Sequence, residues 1–282
     1  GDRILFRRGD VFQGSIVVTR PGLTFTAYGS GPKPVISGLQ QLTFTSVGAN
    51  IWESQPLSTR PNIVLEGATQ RLPARFPNSG YLFFESSSGQ NQITDNQLTG
   101  SWVGGEAVVR KNNTIIDKGL ITAQSGGTLT YNFISPDGHI NGNGYFIQNH
   151  PAAMDQNGEW IFTNNRIRVF SLSAPINWSA GQVATLANVN GFSVTFDGLG
   201  FEGANEYGVF FNNAANSVIQ NCAINNNGVF GIRINNSAGV RVENDSIVNT
   251  NNTAITASGS ANLIIRGNVL QHIGFAGRGE SL

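Results

Sequence analysis

From residue 194 to residue 270 the chain repeats itself every 23 residues. Val194-Thr195-Phe196-Asp197-Gly198, Ser217-Val218-Ile219-Gln220-Asn221, Val240-Arg241-Val242-Glu243-Asn244 and Leu263-Ile264-Ile265-Arg266-Gly267 align under one another. Phe201, Ile224, Ile247 and Leu270 follow at a constant offset. A second register keeps step: Gly208, Gly231, Ala254; Val209, Ile232, Ile255; Phe211, Ile234, Ala257; Asn212, Asn235, Ser258. Two apolar registers and one polar register in phase mark a solenoid, in which each repeat buries its apolar face only against its neighbours.

The repeated unit is strand-like. Apolar residues alternate with others (Val240, Val242; Leu263, Ile265), the period of two of a strand with one buried face. Gly, Asn and Ser interrupt each run too soon for a helix. The pattern predicts an all-β fold, a right-handed parallel β-helix. Val194, Ser217, Val240 and Leu263 are expected in one inward file, and Phe196, Ile219, Val242 and Ile265 in the next. Asn212, Asn235 and Ser258 fall at one turn. There side-chain amides can bond from coil to coil for about 1 kcal/mol each, and Asn tolerates a left-handed backbone.

Composition narrows the function classes. Seventeen basic residues balance seventeen acidic ones, so no overall basic excess is offered to nucleic acid. No run reaches the roughly 18 apolar residues of a membrane span. The single cysteine, Cys222, falls within a coil and reads as a buried structural thiol. Gly1-Asp2-Arg3 carries no leader and reads as a mature start.

Residues 1–39 read as N-terminal capping coils, with strands at Ile4/Phe6, Ile16/Val18 and Leu23/Phe25 and a further one around Val35. An uncapped β-helix exposes a strand edge and its core. From 40 to 188 the period is lost, and the segment reads as a β-rich elaboration carried by the solenoid. Its strand candidates are Leu42–Phe44, Ile63–Leu65, Tyr81–Phe84, Ala107–Val109 and Leu129–Phe133, with short helical turns allowed at Thr114–Leu120 and Pro151–Met154. Asp155-Gln156-Asn157-Gly158 reads as the tight turn of a hairpin leading into Glu159-Trp160. Residues 189–282 are the regular coils. The register breaks after His272, where a loop through Phe275–Gly279 is expected, and the coils or further domains of the same protein are expected to continue past the chain end.

Four stretches carry a family resemblance: Gly1-Asp2-Arg3-Ile4-Leu5-Phe6-Arg7-Arg8-Gly9, Ala27-Tyr28-Gly29-Ser30-Gly31, Arg75-Phe76-Pro77-Asn78, and Met154-Asp155-Gln156-Asn157-Gly158-Glu159-Trp160. With them the chain resembles the secreted bacterial right-handed β-helix proteins of the pectin-lyase-like superfamily; Met154 stands where Leu is usual. The resemblance implies the β-helix fold, a secreted or cell-surface location and a polysaccharide partner. That superfamily includes polysaccharide lyases, glycoside hydrolases and non-catalytic surface proteins, and a fold does not choose among them. The catalytic patterns of its hydrolases are missing here, and the regular coils carry no lysine for a Lys/Arg pair.

Residues of equal register in successive coils lie about 4.8 Å apart. One outward file is Asp197, Gln220, Glu243 and Arg266; beside it run Thr195, Val218, Arg241 and Ile264. Asp197 and Glu243 are two coils apart, roughly 9.6 Å between backbones, near the ~6.5–9.5 Å carboxyl spacing of inverting glycosidases. They are the catalytic candidates. Gln220, Arg241 and Arg266 are the flanking substrate-binding candidates, the arginines suited to an acidic sugar. The same charges can instead pair as a surface ion ladder worth at most about 1 kcal/mol per exposed pair. Glu202, Glu206 and Tyr207, placed in a loop after the first regular coil, are further binding candidates, Tyr207 offering a stacking face. Arg233 is expected to pack its stem on Phe210, and His272 to sit as a hydrogen-bonded turn residue. No zinc-ligand spacing occurs, no cofactor is required, and calcium is allowed at an Asp/Glu/Asn groove without a motif to specify it.

The expected function is a carbohydrate-active protein, a lyase or glycoside hydrolase working on an extended polysaccharide along the solenoid. The alternative is a non-catalytic surface, adhesion or glycan-binding β-helix.

Overall fold

A computed structural model describes residues 1–274 and the backbone of 280–281. The loop expected at Phe275–Gly279 lies outside the described residues. The chain is a parallel β-helix interrupted by one long insertion, and it divides into two compact units.

The first unit holds the solenoid. Three parallel sheets run along it, with six strands in the first and second and five in the third. The first sheet begins with Arg3–Arg7, Leu23–Tyr28 and Val194–Asp197, the second with Val11–Gln13, Val35–Ser37 and Gly200–Glu202, the third with Ile16–Val18, Thr185–Asn190 and Tyr207–Asn212. Each pass through the three sheets is one coil. The second coil leaves after Val35–Ser37 and is completed only by Thr185–Asn190, which pairs with Ile16–Val18 below and Tyr207–Asn212 above. The whole insertion therefore occupies one turn of one coil. Val194–Asp197 stacks directly on Leu23–Thr26, as though the intervening residues were absent.

The 23-residue register holds residue for residue. Asp197 pairs with Gln220, Gln220 with Glu243 and Glu243 with Arg266. The inward file Phe196, Ile219, Val242 is wholly buried, and Phe196 packs against Phe25, Phe201 and Phe211 at ring distances of 5.3, 5.6 and 6.3 Å. Burying such side chains is worth about 1.5–3 kcal/mol each, which drives the coils together. In the sixth coil the equivalent Ile265 is 48% exposed and Leu270 49%, since no described coil covers them.

Asparagine serves the turns in two ways. Left-handed asparagines recur a coil apart as Asn213 and Asn236, Asn221 and Asn244, and Asn226 and Asn249, with φ between 48° and 57°. Asn212 and Asn235 are therefore one residue early: they end their strands, and the tight bend falls on the next residue. A coil-to-coil amide bond does run from Asn212 Nδ2 to Asn190 Oδ1 at 3.0 Å. Inside the turns, side chains of one coil accept N–H groups of the coil before it: Ser217 Oγ from Val194 (3.2 Å), Ser237 Oγ from Ala214 (2.9 Å), Asp245 Oδ1 from Cys222 (2.7 Å) and Asn268 Oδ1 from Asp245 (2.8 Å). These buried donors would otherwise cost about 1–3 kcal/mol each. Cys222 is a buried free thiol whose pKa burial pushes up, so it is inert packing.

The first unit also keeps residues 57–70 and the strand Trp178–Gly181. Asn62 donates its backbone N–H and its Nδ2 to Asn205 Oδ1 and O (2.6 and 2.8 Å), and Asn251 donates to Asn62 O and accepts from Gln70 Nε2 (both 2.6 Å). This network ties the segment to the turns between the second and third sheets.

The second unit is antiparallel. A nine-stranded sheet has Glu106–Arg110, Ile115–Ser125 and Gly144–Gln148 at its centre. The helical turn allowed at Thr114–Leu120 is instead part of the long strand Ile115–Ser125, because Ile116–Leu120 pairs with Glu106–Arg110. Pro151–Ala153 is a short 3-10 turn. Asp155–Gly158 is a loop closed by Glu159, whose Oε2 accepts the N–H groups of Asp155 and Gln156 at 2.8 Å. The hairpin turn is Asn164-Asn165, both left-handed, between Trp160–Thr163 and Arg166–Phe170; paired positive φ values match the strand twist.

Candidate functional site

The first sheet's outward face carries more positive charge than the neutral composition suggests. Its six strands hold Arg3, Arg7, Arg241 and Arg266 against Asp197 and Glu243. The alternation that sends Ile4 and Phe6 inward sends Arg3, Leu5 and Arg7 outward.

Where the first sheet turns into the second, a depression of about 340 Å³ is lined by Arg8, Thr26, Ala27, Lys33, Asp197, Gly198 and Asn221. Asp197 ends its strand and points outward, and its Oδ1 accepts a 2.9 Å hydrogen bond from Asn221 of the next coil. Arg8 is steadied by a 3.2 Å bond from Nη1 to Gly31 O. Gly198 (φ 73°) makes the bend without adding a Cβ to the depression. Two cations and one carboxylate thus share a concave, water-accessible site lined by four successive coils.

Glu243 lies on the same face in a different state. Only 4% of its side chain is exposed, and Arg241 and Arg266 grip it, the latter through a 2.6 Å contact from Nε to Oε1. Burial pushes its pKa up, but the hydrogen bond and charge of Arg241 and the charge of Arg266 outweigh burial and hold it below the ordinary carboxylate value. Gln220 sits between Asp197 and Glu243 in register, half-buried. So Asp197, Gln220, Glu243, Arg241 and Arg266 share one face, yet the two carboxylates differ: one opens onto a cavity, the other is engaged by two arginines.

Asp245 is 1% exposed, and its Oδ2 is buried without a hydrogen bond among the described residues. Burial, aided by the charge of Asp197, raises its pKa to about 7 against the pull of the Cys222 and Glu243 backbone N–H groups and the charge of Lys33. A group so enclosed braces the turn and does not meet a substrate.

The remaining candidates lie elsewhere. Glu202 is not in a loop but closes the strand Gly200–Glu202, where its Oε1 accepts from Asn226 Nδ2 at 3.0 Å; the second sheet runs one residue past the expected loop start. Glu206 precedes the third-sheet strand Tyr207–Asn212 and uses its carbonyl to accept the Val229 and Phe230 N–H groups. Tyr207 stacks on Phe230 (5.7 Å, 4° between planes). Arg233 stands beside Phe210 in register on the neighbouring strand. Its guanidinium sits 5.5 and 5.3 Å from the Tyr207 and Phe230 rings and donates to the Tyr207 hydroxyl, and the Phe210 ring leans on the same Tyr207 (5.4 Å). Tyr207 is thereby already committed to partners of its own chain. Among the described residues no three His, Cys, Asp or Glu side chains group so as to hold a metal ion, and no helix is long and apolar enough to cross a membrane.

Sequence reasoning missed Arg8 and Lys33. Their signal is present, since Leu23-x-Phe25 repeats the Val194-x-Phe196 pattern, but the insertion separates the two copies and breaks the period.

The likeness of this chain to solved proteins is one of fold. The chain superposes on a glycoside hydrolase with a TM-score of 0.73 at 11% identity, over 90% of this chain and 60% of that one. Looser alignments run to XylC in complex with xylose (TM-score 0.32, 10% identity, 95% and 59% covered) and to the tailspike protein gp49 from Pseudomonas phage LKA1 (0.26, 14%, 94% and 42%). The chain therefore spans about 60% of the length of the glycoside hydrolase it resembles. No protein-family profile and no curated protein matches its sequence.

Proposed function

We propose that this β-helix acts on an acidic polysaccharide outside the cell, with an acidic sugar held in the Asp197 depression. The observation that carries the reading is the meeting of Arg8 and Lys33 with Asp197 in one concavity. Charge-assisted hydrogen bonds to a sugar carboxylate are roughly twice as strong as neutral ones, and arginines 3, 7, 241 and 266 extend the positive track for neighbouring sugars. The likeness to a glycoside hydrolase supports the carbohydrate class.

Lyase chemistry fits this site better than hydrolysis. Two cations on a uronate carboxylate acidify the adjacent C–H; Asp197 takes that proton, a C=C bond forms in the ring, and the glycosidic C–O bond breaks with the leaving oxygen protonated by water. Inverting hydrolysis needs a second carboxyl group able to give up a proton. Glu243, held ionised by Arg241 and Arg266, is suited instead to fixing those arginines along the track beside Gln220. The same engagement favours one second reading, a non-catalytic glycan-binding solenoid.

Incubation with polygalacturonate and with a neutral glucan separates these readings. The expected result is product absorbing in the ultraviolet from the acidic polymer, lost in Asp197→Asn while binding persists, with binding weakened in Arg8→Ala and Lys33→Ala. Reducing ends without ultraviolet absorbance would replace the lyase by a hydrolase. Tight binding without product would leave the glycan binder, and a preference for the neutral polymer would overturn the proposal.

A further inference from the structure

At the end of each second-sheet strand, coil after coil, one position is left-handed: Gly203 just past Gly200–Glu202, and Asn226, Asn249 and His272 one residue before the ends of theirs, with φ of 76°, 55°, 57° and 52°. Glycine and asparagine suit that backbone, and histidine is several-fold enriched there over most residues but still uncommon. The side chains form one hydrogen-bonded file. Asn226 Nδ2 donates to Glu202 Oε1 (3.0 Å), Asn249 Nδ2 donates to Asn226 Oδ1 (3.0 Å), and Asn249 Oδ1 meets His272 Nδ1 at 3.2 Å.

The file has only one consistent polarity. A carboxylate can only accept, so Glu202 requires the NH2 end of Asn226. That turns Asn226 Oδ1 to the next coil, which requires the NH2 end of Asn249, and Asn249 then presents Oδ1 to the imidazole. A bare Nδ1 would leave two acceptors facing each other. Reversing both amides to suit it would set the Asn226 carbonyl against the carboxylate.

We propose that Glu202, acting through Asn226 and Asn249, fixes His272 in the Nδ1–H tautomer and so presents a bare Nε2 at the surface as a proton acceptor for a weakly acidic hydroxyl group. His272 is exposed, and among the described residues Nε2 meets no hydrogen-bond partner. Glu202 is a positioning residue that reaches the imidazole across three coils. The assignment is independent of the Asp197 depression, and the ligand-free protein tests it.

Long-range proton–nitrogen NMR correlations on the 15N-labelled protein, above the imidazole's titration, read the tautomer directly. His272→Asn, which places in this coil the residue the two earlier coils use, identifies the resonance among the three histidines. The wild type is expected to carry its proton on Nδ1. Glu202→Gln, whose amide can donate as well as accept, is expected to shift His272 toward the Nε2–H form. Asn249→Ala cuts the file next to the ring and is expected to do the same, while Glu206→Gln leaves the tautomer unchanged. Acylation of His272 by diethyl pyrocarbonate, which attacks the bare nitrogen, should slow severalfold in Glu202→Gln. An Nε2–H tautomer in the wild type, or an unchanged tautomer in both Glu202→Gln and Asn249→Ala, would overturn the proposal.

Discussion

Replacing Asp245 by Asn is expected to stabilise this protein at alkaline pH and to flatten its pH dependence. Asp245 uses one oxygen to accept the Cys222 N–H at 2.7 Å, while the other is buried without a partner among the described residues. Burial raises its pKa from 3.8 to about 7. A carboxyl group whose folded pKa is raised favours the folded state fully below the unfolded pKa, and that contribution is lost as pH rises through the folded pKa. The window is therefore about pH 4 to 7, and the difference corresponds to about 4 kcal/mol, at ~1.4 kcal/mol for each tenfold change in proton affinity. Asn stays neutral throughout. Asn268, one coil on, shows how it would fit: Oδ1 accepts the preceding coil's N–H and Nδ2 donates to Val242 O at 2.9 Å. By the same offset Asn at 245 would donate to Ile219 O. Urea unfolding at pH 5 and pH 8 is the assay. The variant should match the wild type at the lower pH within about 1–2 kcal/mol, since part of the loss lies below it, and exceed it by up to ~4 kcal/mol at the higher. A variant less stable than wild type at pH 8, or an unchanged pH slope, would refute the reasoning.

Other substitutions probe other parts of the chain. Phe196→Ala, in the fully buried file beside Phe25, Phe201 and Phe211, should cost about 3–5 kcal/mol by thermal or urea unfolding. Gly228→Ala would place a Cβ 2.2 Å from Asn205 O and 2.6 Å from Asn62 Cβ, so a loss of about 1–3 kcal/mol and faster proteolysis between residues 57 and 70 are expected. In the second unit Lys111 and Asp117 form a fully buried 3.0 Å ion pair. Lys111→Met alone should cost about 3–5 kcal/mol by stranding the carboxylate, whereas Lys111→Met with Asp117→Leu should recover most of it, a difference that a double-mutant cycle reads.

What the sequence made legible follows from the range of each signal. The coil register was legible because every inward position must be apolar or self-satisfied at a fixed spacing, and Phe196, Ile219 and Val242 obey that rule without exception. The place where the solenoid is interrupted was less so. Thr185–Asn190 completes a coil begun by Leu23–Tyr28, and a period cannot be followed across an insertion that obeys a different one. The same gap hid Arg8 and Lys33 from Asp197. Side-chain state was the least visible. Asp197 and Glu243 hold identical positions two coils apart, but Arg241 and Arg266 exist only on the later coils, so one carboxylate is gripped and the other is free to meet solvent. Register fixes which residues share a face; the chemistry of that face depends on which neighbouring coil supplies a counter-charge. That is why a repeat with nearly identical backbones from turn to turn can leave a carboxylate open to solvent at one coil and hold its counterpart between two arginines two coils on.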